Sequence, residues 1–175
     1  LALGAVVQAQ APAAGATPIE AVRGKIQAKR VGKEVYYTKN GDATGARFKL
    51  ENDTTFEEGV TVHTGKESSV VLQFSNGTSL NLAYESELNV EKFMIDPFPD
   101  SFDLANATQE PSSSTTNLEL TKGELVGNVK KLNQGVNGAK KSTFNVRTPV
   151  GAAGIRGTTF RIVYRPSGDG RTYNF

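Results

Sequence analysis

The stretch FEEGVTVHTGKESSVVLQFSNGTSLNLAYESELNVEKF, residues 56–93, repeats apolar and polar side chains with a period of two. Val70, Leu72 and Phe74 alternate with Val71, Gln73 and Ser75; after Asn76-Gly77, Leu80 and Leu82 alternate with Asn81 and Ala83; Leu88 and Val90 continue the rhythm. A period of two puts every apolar side chain on one face of a pleated strand, whereas a helix would scatter them around its circumference. Asn76-Gly77 between two such runs predicts a hairpin closed by a two-residue type I′ turn, and the whole run predicts a meander.

The same pattern extends in both directions. Val22, Ile26 and Ala28 share one parity, and EVYYT (34–38) follows as a second short strand. Downstream, NLELTKGELVGNVKKL (117–132) alternates on both sides of Lys122-Gly123, STFNVRTP (142–149) places Phe144 and Val146 on one face, and Phe160, Ile162 and Tyr164 line a later strand. Residues 93–116, with three prolines, an acidic cluster and a Ser/Thr run, form an irregular insertion. Turn signals recur every ~8–12 residues, which indicates an all-β sandwich or roll of nine to eleven short, mostly antiparallel strands with little helix, a jelly roll among the options. EEGVTVHTGKESSVVLQF and TKGELVGNVKKLNQGVNGAKKSTFNV echo one another as two hairpin-like units.

Length and composition bound the chemistry. A chain of 175 residues fits one domain with tails. With no cysteine and one histidine, thiol catalysis, disulfides and Cys/His metal centres are excluded, and no cofactor is expected. Asp96, Asp100 and Asp103 do not have the spacing of a calcium loop, so no metal site is expected. Glu57, Glu58, Glu85 and Glu87 do not form a separated carboxylate pair, and the chain reads as a non-enzyme. His63, in TVHTG, reads as a partly exposed strand residue, and a pH switch is the sharper alternative.

Net charge is +5 over residues 1–50, −11 over 51–120 and +8 over 121–175. The basic residues alternate with apolar ones and carry no interleaved aromatic set, so oppositely charged strands side by side are expected and nucleic acid is not.

LALGAVVQAQA (1–11) ends in small residues at Ala9 and Ala11 and reads as the remnant of a signal peptide, with cleavage expected after Ala11. Residues 12–21 read as a Pro/Ala linker and 22–175 as the domain, which stops mid-pattern at RTYNF as though truncated. No stretch reaches the ~18 apolar residues of a membrane span. A periplasmic or secreted location follows.

The stretch 59–88 resembles the first half of the FecR domain, through Gly59, Thr64-Gly65, Ser69, Asn76-Gly77-Thr78 and Ser86. LELTKGELVGNVKKL followed by STFNVRTPVGAAGIRGTTFRIVY resembles its second half, through Thr148-Pro149 and Gly157-Thr158-Thr159-Phe160. The resemblance covers about residues 56–164. It implies a periplasmic domain of the kind that, in the best-known members, passes a signal from an outer-membrane receptor to a sigma-factor system. Those members carry a membrane span and a cytoplasmic segment, neither of which is visible in this sequence, so the chain reads first as an exported, non-catalytic envelope module whose partner is another envelope protein or a surface polymer. Signal transduction is the alternative, and carbohydrate binding through Tyr36, Tyr37 and Tyr84 a lesser one; the oligomeric state is not legible.

Within TPVGAAGIRGTTF, Gly151, Gly154 and Gly157 read as residues that shape a corner before the Phe160 strand. Some relatives cut themselves between the Gly and Thr of this motif by an N-to-O acyl shift, and the pair Gly157-Thr158 supplies the hydroxyl and the peptide bond for it.

Overall fold

The computed structural model describes residues 19–135 and 140–166. The signal remnant, most of the linker and the terminal RTYNF lie outside them. Among the described residues there is no helix, and thirteen strands form one strongly curled sheet. They are β1 (Val22–Arg23), β2 (Ile26–Val31), β3 (Val35–Lys39), β4 (Phe48–Lys49), β5 (Thr55–Phe56), β6 (Val60–Thr64), β7 (Ser69–Phe74), β8 (Ser79–Leu82), β9 (Glu87–Ile95), β10 (Ser114–Asn128), β11 (Thr143–Thr148), β12 (Gly151–Gly154) and β13 (Thr159–Tyr164). The count exceeds the expected nine to eleven because β1, β4 and β5 are two-residue pairings too short to leave a periodic signal.

The sheet folds over into two layers that share β10. One layer runs β4-β3-β6-β9-β10-β11-β12, with β1 on the far end of β9; the other runs β5-β2-β7-β8-β10-β13. Apolar residues meet in lateral rows between the layers. Val60, Val90, Leu118 and Val146 are successive partners across four strands of the first, and Ala28, Leu72 and Leu80 across three of the second. Phe74 from one layer packs edge-on against Phe93 from the other, with ring centroids 4.8 Å apart. Every pairing among these strands is antiparallel except β10 with β11, and one isolated bridge, Gln109 with Lys131, is also parallel.

Residues 56–93 are not a meander. β7 and β8 pair, but β6 pairs with β3 and β9, in the other layer. The chain leaves the first layer after β6, forms the β7-β8 hairpin in the second, and returns as β9. For the same reason the two echoing segments are not equivalent hairpins: β6 and β7 belong to different layers, and β10 and β11 run parallel. The β7-β8 reversal is also wider than the two-residue turn expected. Gly77 N–H donates to Phe74 O and Phe74 N–H to Thr78 O, both at 2.9 Å, while Asn76 keeps a negative φ.

β10 is a single strand of 15 residues that runs through Lys122-Gly123. Its buried positions are even from Ser114 to Leu120 and odd from Gly123 to Gly127, because a register irregularity between Leu120 and Lys122 shifts the pleat by one residue. The first half is flanked by β9 and β11, the second by β8 and β13. The irregular insertion is shorter than expected, since β9 continues to Ile95 and β10 starts at Ser114. No helix among the described residues is long and apolar enough to cross a membrane.

Candidate functional site

Four segments pass from one layer to the other at a common corner: 31–35, 64–69, 82–87 and 121–124. Their backbones bond to each other and to three hydroxyls. Gly65 N–H donates to Glu34 O at 2.7 Å, and Glu85 N–H to Gly65 O at 3.1 Å. The buried Thr64 hydroxyl donates to Ala83 O at 2.5 Å and accepts from Ser86 N–H at 3.0 Å. The buried Ser86 hydroxyl donates to Tyr84 O and accepts from Glu124 N–H, each at 3.0 Å. Ser68, not Ser69, closes the set: its hydroxyl accepts from Glu34 N–H at 3.1 Å and donates to Lys66 O, whereas Ser69 is a half-exposed strand residue opposite Val31. Thr64, Gly65 and Ser86 thus sit where a chain turning between layers would leave backbone groups unpaired.

The remaining residues of the first motif half do comparable work. Gly59 joins the start of β6 to its neighbours, its N–H donating to Val90 O and its O accepting from Asn40 N–H. Asn76 is buried under the hairpin; its Oδ1 accepts from Thr78 N–H at 3.2 Å, and its Nδ2 donates to Ser114 Oγ at 3.3 Å. Ser114 in turn donates to the carboxylate of Glu110 at 2.6 Å, and that carboxylate accepts Asn133 N–H at 2.7 Å. Glu110, 4% exposed, therefore pins the 96–113 segment to the core. Sequence reading missed it because a lone glutamate in an irregular, acidic stretch has the pattern of a solvated residue.

In the second motif half, Thr148 and Gly151 are partners across the tight β11-β12 turn, with Pro149 and Val150 at its tip. Of the three glycines, Gly157 alone has a positive φ, +63°, and a Cβ built on it would lie 2.6 Å from Lys131 Cα. A Cβ on Gly151 meets open space, and one on Gly154 meets an ordinary contact at 3.6 Å. The corner expected of all three is therefore made by Gly157. Phe160 is half-buried against Phe144, opposite Gly127. The exposed Thr158 hydroxyl donates to Thr159 O at 3.2 Å, and Thr158 O accepts from Val129 N–H. Among the described residues no imidazole or carboxylate bonds to that hydroxyl.

A polar constellation not foreseen in the sequence lies on the outer face of the first layer. Thr38 Oγ1 is 3.2 Å from His63 Nε2, His63 Nδ1 is 3.1 Å from Glu87 Oε2, and the Thr121 hydroxyl donates to Glu87 Oε1 at 2.8 Å. The ring of Tyr36 stacks on that of His63, centroids 4.6 Å apart. Hydroxyl, imidazole and carboxylate stand in the order that nucleophilic catalysis uses. However, they lie on the face of a paired sheet, where the β3 N–H groups directed at β6 are engaged in the ladder and do not serve as oxyanion donors. The hydrogen bond from His63, and secondarily that from Thr121, hold the Glu87 carboxyl below its ordinary value against the opposing effect of burial. A carboxylate lowered in the fold contributes stability above the ordinary range and loses it as pH falls through the lowered value. Glu87→Gln should thus flatten the acid limb of a melting-temperature profile as pH falls through and below the ordinary glutamate range. With a side chain 40% exposed, the loss at neutral pH should be about 1 kcal/mol or less. Parallel acid limbs in the two proteins would refute this.

The other expected groups are dispersed. Glu57 pairs with Lys25 and Arg23, Glu58 accepts from Phe93 N–H, and Glu85 occupies a crossing turn. Asp103 caps its own turn through Ala105 and Asn106. Tyr36 and Tyr37 point to opposite sides of β3, and Tyr84 lies under Arg165, so the three tyrosines form no common platform. The uneven charge resolves partly into ion pairs such as Arg30 with Glu51 and Arg147 with Glu91 and Glu119.

Compared with known families, residues 60–173, more than half of the chain, match the family model described as FecR protein. No curated protein and no solved structure matches the chain.

Proposed function

The chain belongs to the FecR family, and on that premise we propose that it is an exported, non-catalytic module of the cell envelope that binds another envelope protein or a surface polymer. The supporting observation is the use made of the motif residues: the hydroxyls of Thr64 and Ser86 and the amide of Asn76 are spent on the chain's own backbone and core. What the motif encodes in this chain is a scaffold, and the binding surface belongs to the side chains that vary upon it. The domain spans 22–175 in this reading, the signal segment is removed after Ala11, and the protein works in the periplasm or outside the cell. Gly157 serves as a bend.

The second reading, transmission of a signal to a sigma-factor system, is favoured by the family itself, and cleavage between Gly157 and Thr158 would belong to it. Intact-mass measurement of the protein recovered from its native envelope, before and after denaturation, separates the two. The expected result is one species beginning at Pro12, with cross-linking in the same envelope yielding a discrete adduct. Two fragments meeting at Gly157 and Thr158 would overturn the non-catalytic reading, and recovery of uncross-linked protein alone would overturn the protein-binding arm, leaving the surface-polymer arm to the glycan titration below.

A further inference from the structure

Sheet register aligns a row of neutral polar side chains across the outer face of the second layer. Thr55, Gln27, Gln73, Ser79, Asn128 and Thr159 are successive lateral partners over β5, β2, β7, β8, β10 and β13. Partners in register project from the same face, so the row spans five interstrand steps of about 4.8 Å, roughly 24 Å in all. The first five residues line a groove of about 850 Å³, whose opposite wall is Leu104 and Ala105 of the irregular segment. That wall is fixed rather than loose, held by the buried Glu110 and by Lys130 Nζ, which donates to Ala107 O at 2.5 Å.

We propose that this groove binds a neutral polysaccharide chain lying along the row. The argument is one of matching chemistry. The two lysines that line the groove are engaged, Lys130 with Ala107 O and Lys25 with Glu57. Lys25 is thus neutralised, and Lys130, whose partner is a carbonyl, is the one lining cation without a carboxylate partner among the described residues, set against the five neutral polar side chains of the row. Gln27 donates one amide N–H to Asp53 and Gln73 donates one to Thr78 O, each at 3.2 Å, which leaves the carbonyl oxygen and a second N–H of both groove-lining amides without a partner among the described residues. Among the described residues the side chains of Asn128 and Ser79 have no hydrogen-bond partner. Amides and hydroxyls that both donate and accept suit vicinal sugar hydroxyls, and Leu104 supplies an apolar surface for the C–H face of a ring. A regular row of such groups suits a ligand that itself repeats.

This deepens the surface-polymer arm of the proposed function and does not depend on the protein-binding arm. The test titrates the full chain with cellohexaose, laminarihexaose, maltohexaose and chitohexaose, following backbone amide shifts. At least one should shift amides of β2, β7, β8 and β10 around the row, and Gln27→Ala/Gln73→Ala should weaken it roughly tenfold, about what loss of one or two hydrogen bonds to a ligand removes. If that pair of substitutions lowers stability, Asn128→Ala, at an exposed site, carries the same comparison. No shift with any of the four, or unchanged binding by the variants, overturns the proposal. So does preferential binding of polygalacturonate that salt abolishes, since that would make the site a polyanion site. A protein adduct from the envelope together with no glycan shift would sink this inference and leave the proposed function standing.

Discussion

Gly123→Ala should be among the most damaging single-atom additions to this protein. Gly123 lies where β10 crosses from one layer to the other, with φ of +101°, and a Cβ built there would sit 2.5 Å from Ser86 Cα. Two costs add. A side chain forced into that backbone region costs about 1–3 kcal/mol, and displacing a packed backbone costs about 1–3 kcal/mol more. Ser86 cannot yield easily, because its hydroxyl is bonded on both sides to segments that cross at the same corner. At this chain length each kcal/mol is worth about 2–4 °C, so the melting temperature should fall by roughly 10 °C. Gly151→Ala, with open space around it and no positive φ, should change stability by about 0.5 kcal/mol or less. Equal melting temperatures for the two variants would show that the corner does not hold the layers together.

The second large effect is expected at Phe93. Its ring is fully buried, meets Phe74 across the interface of the two layers and lies against Gly24, whose N–H donates to Phe93 O. Phe93→Ala should cost about 3–5 kcal/mol through lost burial and the cavity left behind, whereas Phe93→Leu should cost less than about 1.5 kcal/mol. Urea unfolding measures both. The midpoint should fall with little change in slope, since the alanine variant exposes nearly the same surface on unfolding. An alanine variant no weaker than the leucine one would mean that the layers do not pack through this pair.

Much of the strand content was legible because it is written locally. Alternation at Val70 to Phe74 and at Leu80 and Leu82 needs only neighbours within a few residues, and the turn at Asn76-Gly77 was correctly located even though its hydrogen-bond pattern was not. The partners of those strands were less legible. Nothing between residues 56 and 93 says that β6 will bond to β9 rather than to β7, because both choices bury the same apolar face. The deciding groups are Thr64, Gly65 and Ser86, which turn the chain between layers and whose backbone partners lie in other crossing segments. The His63 constellation was illegible for the same reason: Thr38, His63 and Glu87 meet only once β3, β6 and β9 are in register.

By itself, the sequence determined that this chain is all-β, where most of its longer strands run, which residues of those longer strands face the core, and which family its motifs resemble. All of these follow from side-chain periodicity, turn chemistry and short motifs, which act over a few residues. Only the tertiary structure decided that β10 serves both layers, that Gly157 rather than Gly151 or Gly154 must be glycine, that Glu110 is a buried anchor, and that six neutral side chains align across one face. Each of these depends on register or close approach between segments far apart in the chain, where a one-residue shift exchanges the two faces of a strand without changing the local pattern that encodes it.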